Sequence, residues 1–248
     1  MSQIKNSLKP QITIFFALFL WIICWIPSIA QSNQASPKQS EPDGSSRGRP
    51  STRKGTGSRG DCPPVNIPLT ALIPENNQAL TLSEHPNVWV FVPYTSADIV
   101  AGEFVLQDEK DNDIYRTNFT PPDQPGIVSI DLKKSLSLQT NTTYQWYFKL
   151  YCSQQKLSNP IFVKGLIKRT TTNPEIEKKL KIAKTPQQRF SIYYQNNIWY
   201  EAVSELAKSY PHQPQNRSLF HDWFSLLKSV DLENLTSQPV IGDIKKVF

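Results

Sequence analysis

The side chains able to do chemistry are few and widely spaced in this chain of 248 residues. Its three histidines are isolated. His85 precedes Pro86, His212 follows Pro211 and His221 adjoins Asp222. A zinc site wants His or Cys at i, i+4 or in Cys-x-x-Cys pairs, because that spacing puts two ligands on one face. Here the spacing is missing, and structural or solvated roles are expected for all three. Nucleophilic catalysis finds no support, and neither a Gly-x-Ser-x-Gly elbow nor a Gly-x-Gly-x-x-Gly phosphate loop is expected, with only nine glycines and several of them in one polar stretch before Cys62. The acidic run Asp108-Glu109-Lys110-Asp111-Asn112-Asp113 fails as a calcium loop. Lys110 stands at the third position, where Asp or Asn is needed, and no Gly follows. It reads as a solvated hairpin turn. A carboxylate pair for glycoside hydrolysis is a matter of spatial separation, and nothing in the order of residues singles one out. No catalytic residue, metal ligand or cofactor is therefore assigned.

The remaining reactive groups are the cysteines, and their meaning depends on the N-terminus. Lys5 and Lys9 precede an apolar run from Ile12 to Ile26, then Pro27 and the small-x-small triplet Ser28-Ile29-Ala30. This is the layout of a secretory signal peptide over residues 1–30, with cleavage expected between Ala30 and Gln31. The run is shorter than the ~20 apolar residues of a usual span. An uncleaved leader acting as an anchor is the alternative, and it is the only route by which membrane contact is expected. Removal of the leader takes Cys24 with it and leaves Cys62 and Cys152. An even pair in an exported chain reads as a disulfide, because the compartment is oxidising.

Composition then divides the chain. The formal net charge is +6, but it is uneven. From Cys62 onward 19 basic residues face 18 acidic ones, so no basic folded face for nucleic acid is expected. Residues 31–61 are rich in Ser, Gly, Pro, Gln and Arg and nearly free of apolar side chains. Such a stretch buries too little surface to offset its ordering entropy, and it reads as a disordered tether.

Residues 62–170 read as short strands. Along Thr142–Cys152, Tyr144, Trp146, Phe148, Leu150 and Cys152 share one face, with Tyr147 and Tyr151 on the other. That is period two with one face buried. It points Cys152 inward and makes Tyr147 and Tyr151 candidate contacts for a partner. Further strands are expected at 67–73, 79–82, 88–94, 102–108, 113–120, 126–132 and 160–169, punctuated by prolines. Leu138, Thr142 and Tyr144 reproduce the spacing of a tyrosine corner, which resembles an immunoglobulin-like or fibronectin type III antiparallel sandwich. Residues 171–248 change to a helical period. Asn173-Pro174 and Thr185-Pro186-Gln187-Gln188 are helix starts, the second a capping box. Two aromatic-rich stripes follow, Ile198–Tyr210 and Leu219–Val230, suited to packing on the β region. The fold class is thus mainly β, a sandwich followed by a short α-helical region.

Several segments together resemble a known family: Leu69–Pro74, Leu80–Tyr94, Glu103–Glu109, Pro125–Leu132, Tyr144–Cys152, Val163–Arg169 and Ile198–Ala207. The chain is similar to a cyanobacterial exported family catalogued as domain of unknown function 928. The resemblance implies an exported location in a Gram-negative-type envelope and supplies no activity, ligand or catalytic residue. The expectation is a non-enzymatic exported protein, in the periplasm or at the cell surface, that binds a protein or glycan of the envelope. The alternatives are an envelope hydrolase acting on glycans or peptidoglycan, and a membrane-anchored sensor or stress protein.

Overall fold

The computed structural model describes residues 53–55, 62–132, 136–153 and 159–247. The expected leader, its expected cut at Ala30–Gln31 and most of the expected tether lie outside the described residues. Ten strands form two sheets. They are β1 (Thr70–Ala71), β2 (Gln78–Thr81), β3 (Asn87–Val92), β4 (Ala101–Gln107), β5 (Asp113–Phe119), β6 (Gly126–Asp131), β7 (Thr143–Tyr151), β8 (Ile161–Arg169), β9 (Val240–Asp243) and β10 (Lys246–Val247). One sheet has the order β1-β3-β6-β9 and the other β10-β5-β4-β7-β8-β2. The arrangement is sandwich-like and mainly β. It is not wholly antiparallel, because β2 runs parallel to β8 and β6 parallel to β9.

Local pattern explains the strands. In β7 burial alternates residue by residue, with Trp146, Phe148 and Leu150 sealed inside. Every residue of β3 is buried, which is the mark of a strand covered on both faces. Two glycines permit close approach. A Cβ on Gly102 would fall 2.0 Å from the Phe119 ring, and one on Gly165 would fall 2.7 Å from the Trp146 ring. The expected tyrosine corner forms: the Tyr144 hydroxyl accepts a hydrogen bond from the Gln139 backbone N–H at 2.9 Å.

Four α-helices follow among the described residues: α1 (Pro174–Ile182), α2 (Pro186–Gln195), α3 (Trp199–Ser209) and α4 (Arg217–Lys228). Asn173 caps α1 and Thr185 closes a capping box on α2, as their spacing predicts. Asn216 caps α4 through the Leu219 N–H. The stripes Ala202, Val203, Leu206, Ala207 and Leu219, Trp223, Leu226, Leu227 are buried in the same hydrophobic cluster as the strands. Helices and sandwich therefore share one core.

Besides these parallel pairs, the structure departs from the expected antiparallel sandwich and helical tail in three further places. The C-terminal residues are not all helical, for β9 and β10 add one strand to each sheet. These strands are four and two residues long and are held by pairing with distant segments, so no local periodicity announces them. The strand expected over 67–73 shortens to Thr70–Ala71, since after Ala71 the Ile73 N–H turns back to the Ala71 carbonyl. Residues 53–55, placed with the tether on composition, lie along β1, with Gly55 N–H donating to Leu69 O and Ala71 N–H to Arg53 O. The Arg53 side chain is buried and donates to the carbonyls of Val230 at 2.6 Å and Ile73 at 3.4 Å. Its burial pulls the guanidinium below its ordinary pKa, while Glu75 and Asp231 oppose that pull.

Candidate functional site

The start of α3 is built to lock onto both sheets. Four side chains within six residues make polar contacts to the β region. Trp199 Nε1 donates to Leu72 O at 2.9 Å. The Tyr200 hydroxyl accepts from Trp146 Nε1 at 2.8 Å and donates to Leu166 O at 3.2 Å. Ser204 Oγ accepts from Trp89 Nε1 at 2.9 Å. Glu201 Oε1 accepts from Thr81 Oγ1 at 2.6 Å, from Leu82 N–H at 3.1 Å and from Ser83 N–H at 2.9 Å. Burial raises the Glu201 carboxyl above its ordinary pKa, and these hydrogen bonds offset part of that rise. Burial also raises Tyr200. The aromatic stripe seen in the sequence is thus a docking face whose polar tips are satisfied by the sandwich.

This docking leaves a groove beside it of ≈ 600 Å³. One wall is the turn and strand carrying Pro74, Asn76, Gln78, Ala79 and Leu80. Tyr194, Asn197, Ile198 and Trp199, from the end of α2 and the start of α3, form another, and Ser229 and Val230 past α4 close it. The turns that shape the walls need left-handed backbone at Asn77 (φ 56°), Asn197 (φ 58°) and Asp231 (φ 56°), a region that Asn and Asp enter more readily than most residues. The lining holds amide groups, a hydroxyl, two aromatic rings and aliphatic surface, with no carboxylate, lysine or arginine. Chemically, it can bind a neutral polar ligand against aromatic and aliphatic surface. It holds no acid–base pair.

Sequence reasoning missed this groove. Its polar members are isolated amides and a hydroxyl spread over turns and the start of β2, and the only local signals were the neighbouring Asn76-Asn77 and Asn196-Asn197 pairs. The residues that sequence did favour lie elsewhere. Tyr147 and Tyr151 are half-buried on the outer face of the six-stranded sheet and do not line the groove. The Tyr147 ring packs tilted against Phe162, their centroids 6.0 Å apart, with the ammonium groups of Lys149 and Lys164 within 6 Å of its ring. Tyr151 donates to Glu103 Oε2 at 3.1 Å, and burial together with the Glu103 charge pushes its phenol up to about 12. Burial works against the Glu103 charge too, but hydrogen bonds from Lys149 and Arg116 hold its carboxyl below the usual range. Both tyrosines are thus engaged in the sheet's own surface network.

Cys62 and Cys152 stand at disulfide distance, their Cα atoms 5.0 Å apart across a sequence separation of 90. Both are half-buried, and Cys152 follows the end of β7, so the pair sits at the margin of the core and not across it. Asp108 accepts from Lys110 N–H, Asn112 N–H and Asn112 Nδ2 within the β4–β5 turn, which uses its carboxylate in an ordinary hairpin. His85 Nδ1 lies 3.1 Å from Leu136 O. Among the described residues no three His, Cys, Asp or Glu side chains converge as a metal set, and no helix is long and apolar enough to cross a membrane. Two glycine spacings do occur before Cys62. Gly44-Ser45-Ser46-Arg47-Gly48 fits a nucleophile elbow and Gly55-Thr56-Gly57-Ser58-Arg59-Gly60 fits a phosphate loop, contrary to the reading that neither chemistry is represented. Each motif carries weight only between a strand and a helix. All of the first and all but Gly55 of the second lie outside the described residues.

No curated protein matches the chain. A family model, described as Domain of Unknown Function (DUF928), matches residues 54–240. That match starts at the segment paired with β1, spans β1 to β8 and all four helices, stops at the first residue of β9, and takes in every wall of the groove. The chain belongs to the DUF928 family.

Proposed function

We infer that the protein is an exported, non-enzymatic binding protein that holds a protein or glycan partner in the cell envelope, and that the groove beside α3 is its contact site. The leader-like N-terminus supports export to the periplasm or cell surface. The observation that carries the binding role is the lining of the groove: Asn76, Gln78, Asn197 and Ser229 share it with Tyr194, and no residue of the lining carries a formal charge. Peptide backbone and sugar hydroxyls both satisfy such groups, whereas hydrolysis of a glycan needs two placed carboxyls. Tyr194 is exposed at 40 %, which presents an aromatic ring to a partner at little cost in conformational entropy.

Site-specific photocrosslinking in the producing cell tests this. A benzoylphenylalanine replacing Tyr194 is expected to form an adduct in the envelope fraction, and one replacing Tyr147 is not. Adducts from Tyr147 alone would move the site to the outer sheet face. Adducts from neither position would remove the binding role.

A further inference from the structure

We propose that the partner is a polypeptide, and that an extended, uncharged segment of it adds as a strand to the open edge of β2. The proposal rests on the reading of the groove as the binding site and names what enters it. β2 closes one side of the six-stranded sheet and, among the described residues, pairs only with β8. The pairing is parallel, so alternate residues turn both backbone groups toward β8. Asn77 O accepts from Leu166 N–H at 2.8 Å and Thr81 O accepts from Thr170 N–H at 2.9 Å. Asn77, Ala79 and Thr81 therefore face β8, and the backbone groups of Gln78 and Leu80 face away.

The outward edge is finished at both ends by the protein itself. Gln78 N–H donates to Asn76 Oδ1 at 3.1 Å, and Leu82 N–H donates to Glu201 Oε1 at 3.1 Å. Between these caps, the Gln78 carbonyl and the Leu80 N–H and carbonyl have no hydrogen-bond partner among the described residues. Gln78 and Leu80 both line the groove. An acceptor, a donor and an acceptor spaced along one strand are complemented by the donor, acceptor and donor of a second strand, which is the basis of recognition by strand addition. Edge strands are commonly protected by being short, covered or charged. Here the cover stops at Leu82, where Glu201 reaches, and leaves the middle of β2 open. At about 3.3 Å per residue, an edge of this length accepts a segment of roughly four or five residues. The lining has no charge to pair with a charged segment, and it offers Pro74, Ile198 and Val230 to apolar side chains.

The test is a selection of displayed random heptapeptides on the full chain, with chitotetraose titrated in parallel and binding mapped by amide chemical shifts. Enriched peptides are expected to be uncharged and to shift Asn76, Leu80 and Asn197. Leu80→Pro removes the outward N–H without touching the bonds to β8, at an edge position where proline is tolerated. It is expected to weaken peptide binding at least tenfold, and N-methylation of alternate peptide amides is expected to do the same to the unaltered protein. This second arm keeps the test valid should Leu80→Pro fail to fold. Peptides that bind the groove but ignore both changes overturn strand addition and leave the groove reading intact. Groove shifts with chitotetraose and no enriched peptide have the same meaning, with a glycan as occupant. Self-association lost in Leu80→Pro, without peptide binding, would make the occupant a second copy and overturn the proposal. No groove shift with either probe overturns both readings.

Discussion

The buried Glu201 carboxyl ties the start of α3 to the end of β2. Replacing Glu201 by alanine strands the Leu82 N–H outright, while the Ser83 N–H keeps the Thr81 hydroxyl as acceptor at 3.0 Å. Leaving this partly buried donor without its acceptor costs at the lower end of about 1–3 kcal/mol, and loss of the remaining charge-assisted bonds adds to it. A total of about 2–4 kcal/mol at roughly 2–4 °C per kcal/mol for a domain of this size lowers Tm by on the order of 10 °C. Glu201→Gln keeps an acceptor at the Oε1 position and removes the charge. Because burial raises the folded-state pKa of Glu201 above its unfolded value of 4.5, the folded state binds the proton more tightly. The stability this group contributes is fully present below pH 4.5 and is lost as pH rises through the elevated folded value, at up to about 1.4 kcal/mol per pH unit. Glu103 has the opposite sign, its depressed carboxyl supporting the fold above its unfolded value of 4.5 and losing that support as pH falls through its lowered folded value. Thermal melts by circular dichroism at pH 5, 6.5 and 8 are the assay. The unaltered protein is expected to lose more Tm across that range than Glu201→Gln, and Glu201→Ala is expected to be the least stable at pH 5. Parallel Tm-versus-pH lines for the unaltered protein and Glu201→Gln would refute the buried, proton-binding carboxyl.

Converting Cys62 and Cys152 to serine together is expected to cost about 4.6 kcal/mol, from the loop entropy of a cross-link over a separation of 90 residues; chemical denaturation of oxidised protein and double variant measures it, and equal midpoints would contradict the bond. Gly102→Ala drives a methyl against the Phe119 ring and is expected to destabilise by about 1–3 kcal/mol, whereas Val100→Ala, at an exposed position, is expected to stay within ~0.5 kcal/mol. N-terminal sequencing of protein from the envelope fraction is expected to begin at Gln31, and a chain that still begins at Met1 would favour the anchored alternative.

Legibility in the sequence followed the range of the forces involved. β7 and the caps at Asn173 and Thr185 were readable because their periodicity and capping hydrogen bonds are local. The tyrosine corner was readable for the same reason, its bond spanning only from Tyr144 to Gln139. β9 and β10 were not, since short strands with partners 113 and more residues away carry no pattern of their own. Arg53 was hidden because its composition is that of the tether, while its guanidinium is held by the Val230 carbonyl at the far end of the chain. Tyr147 and Tyr151 were visible as outward aromatics, but the pattern could not reveal that Phe162 and Glu103 would occupy them. The groove escaped notice because Asn76, Tyr194 and Ser229 meet only through the docking of α3, and none of them belongs to a motif.

The central claim is that partner contact occurs in the groove beside α3. Photocrosslinking from position 194, set against position 147 in the same cells, tests it most directly. An envelope adduct from position 194 that disappears with Leu80→Pro is expected, and none from position 147. An adduct from 147 with none from 194 would contradict it.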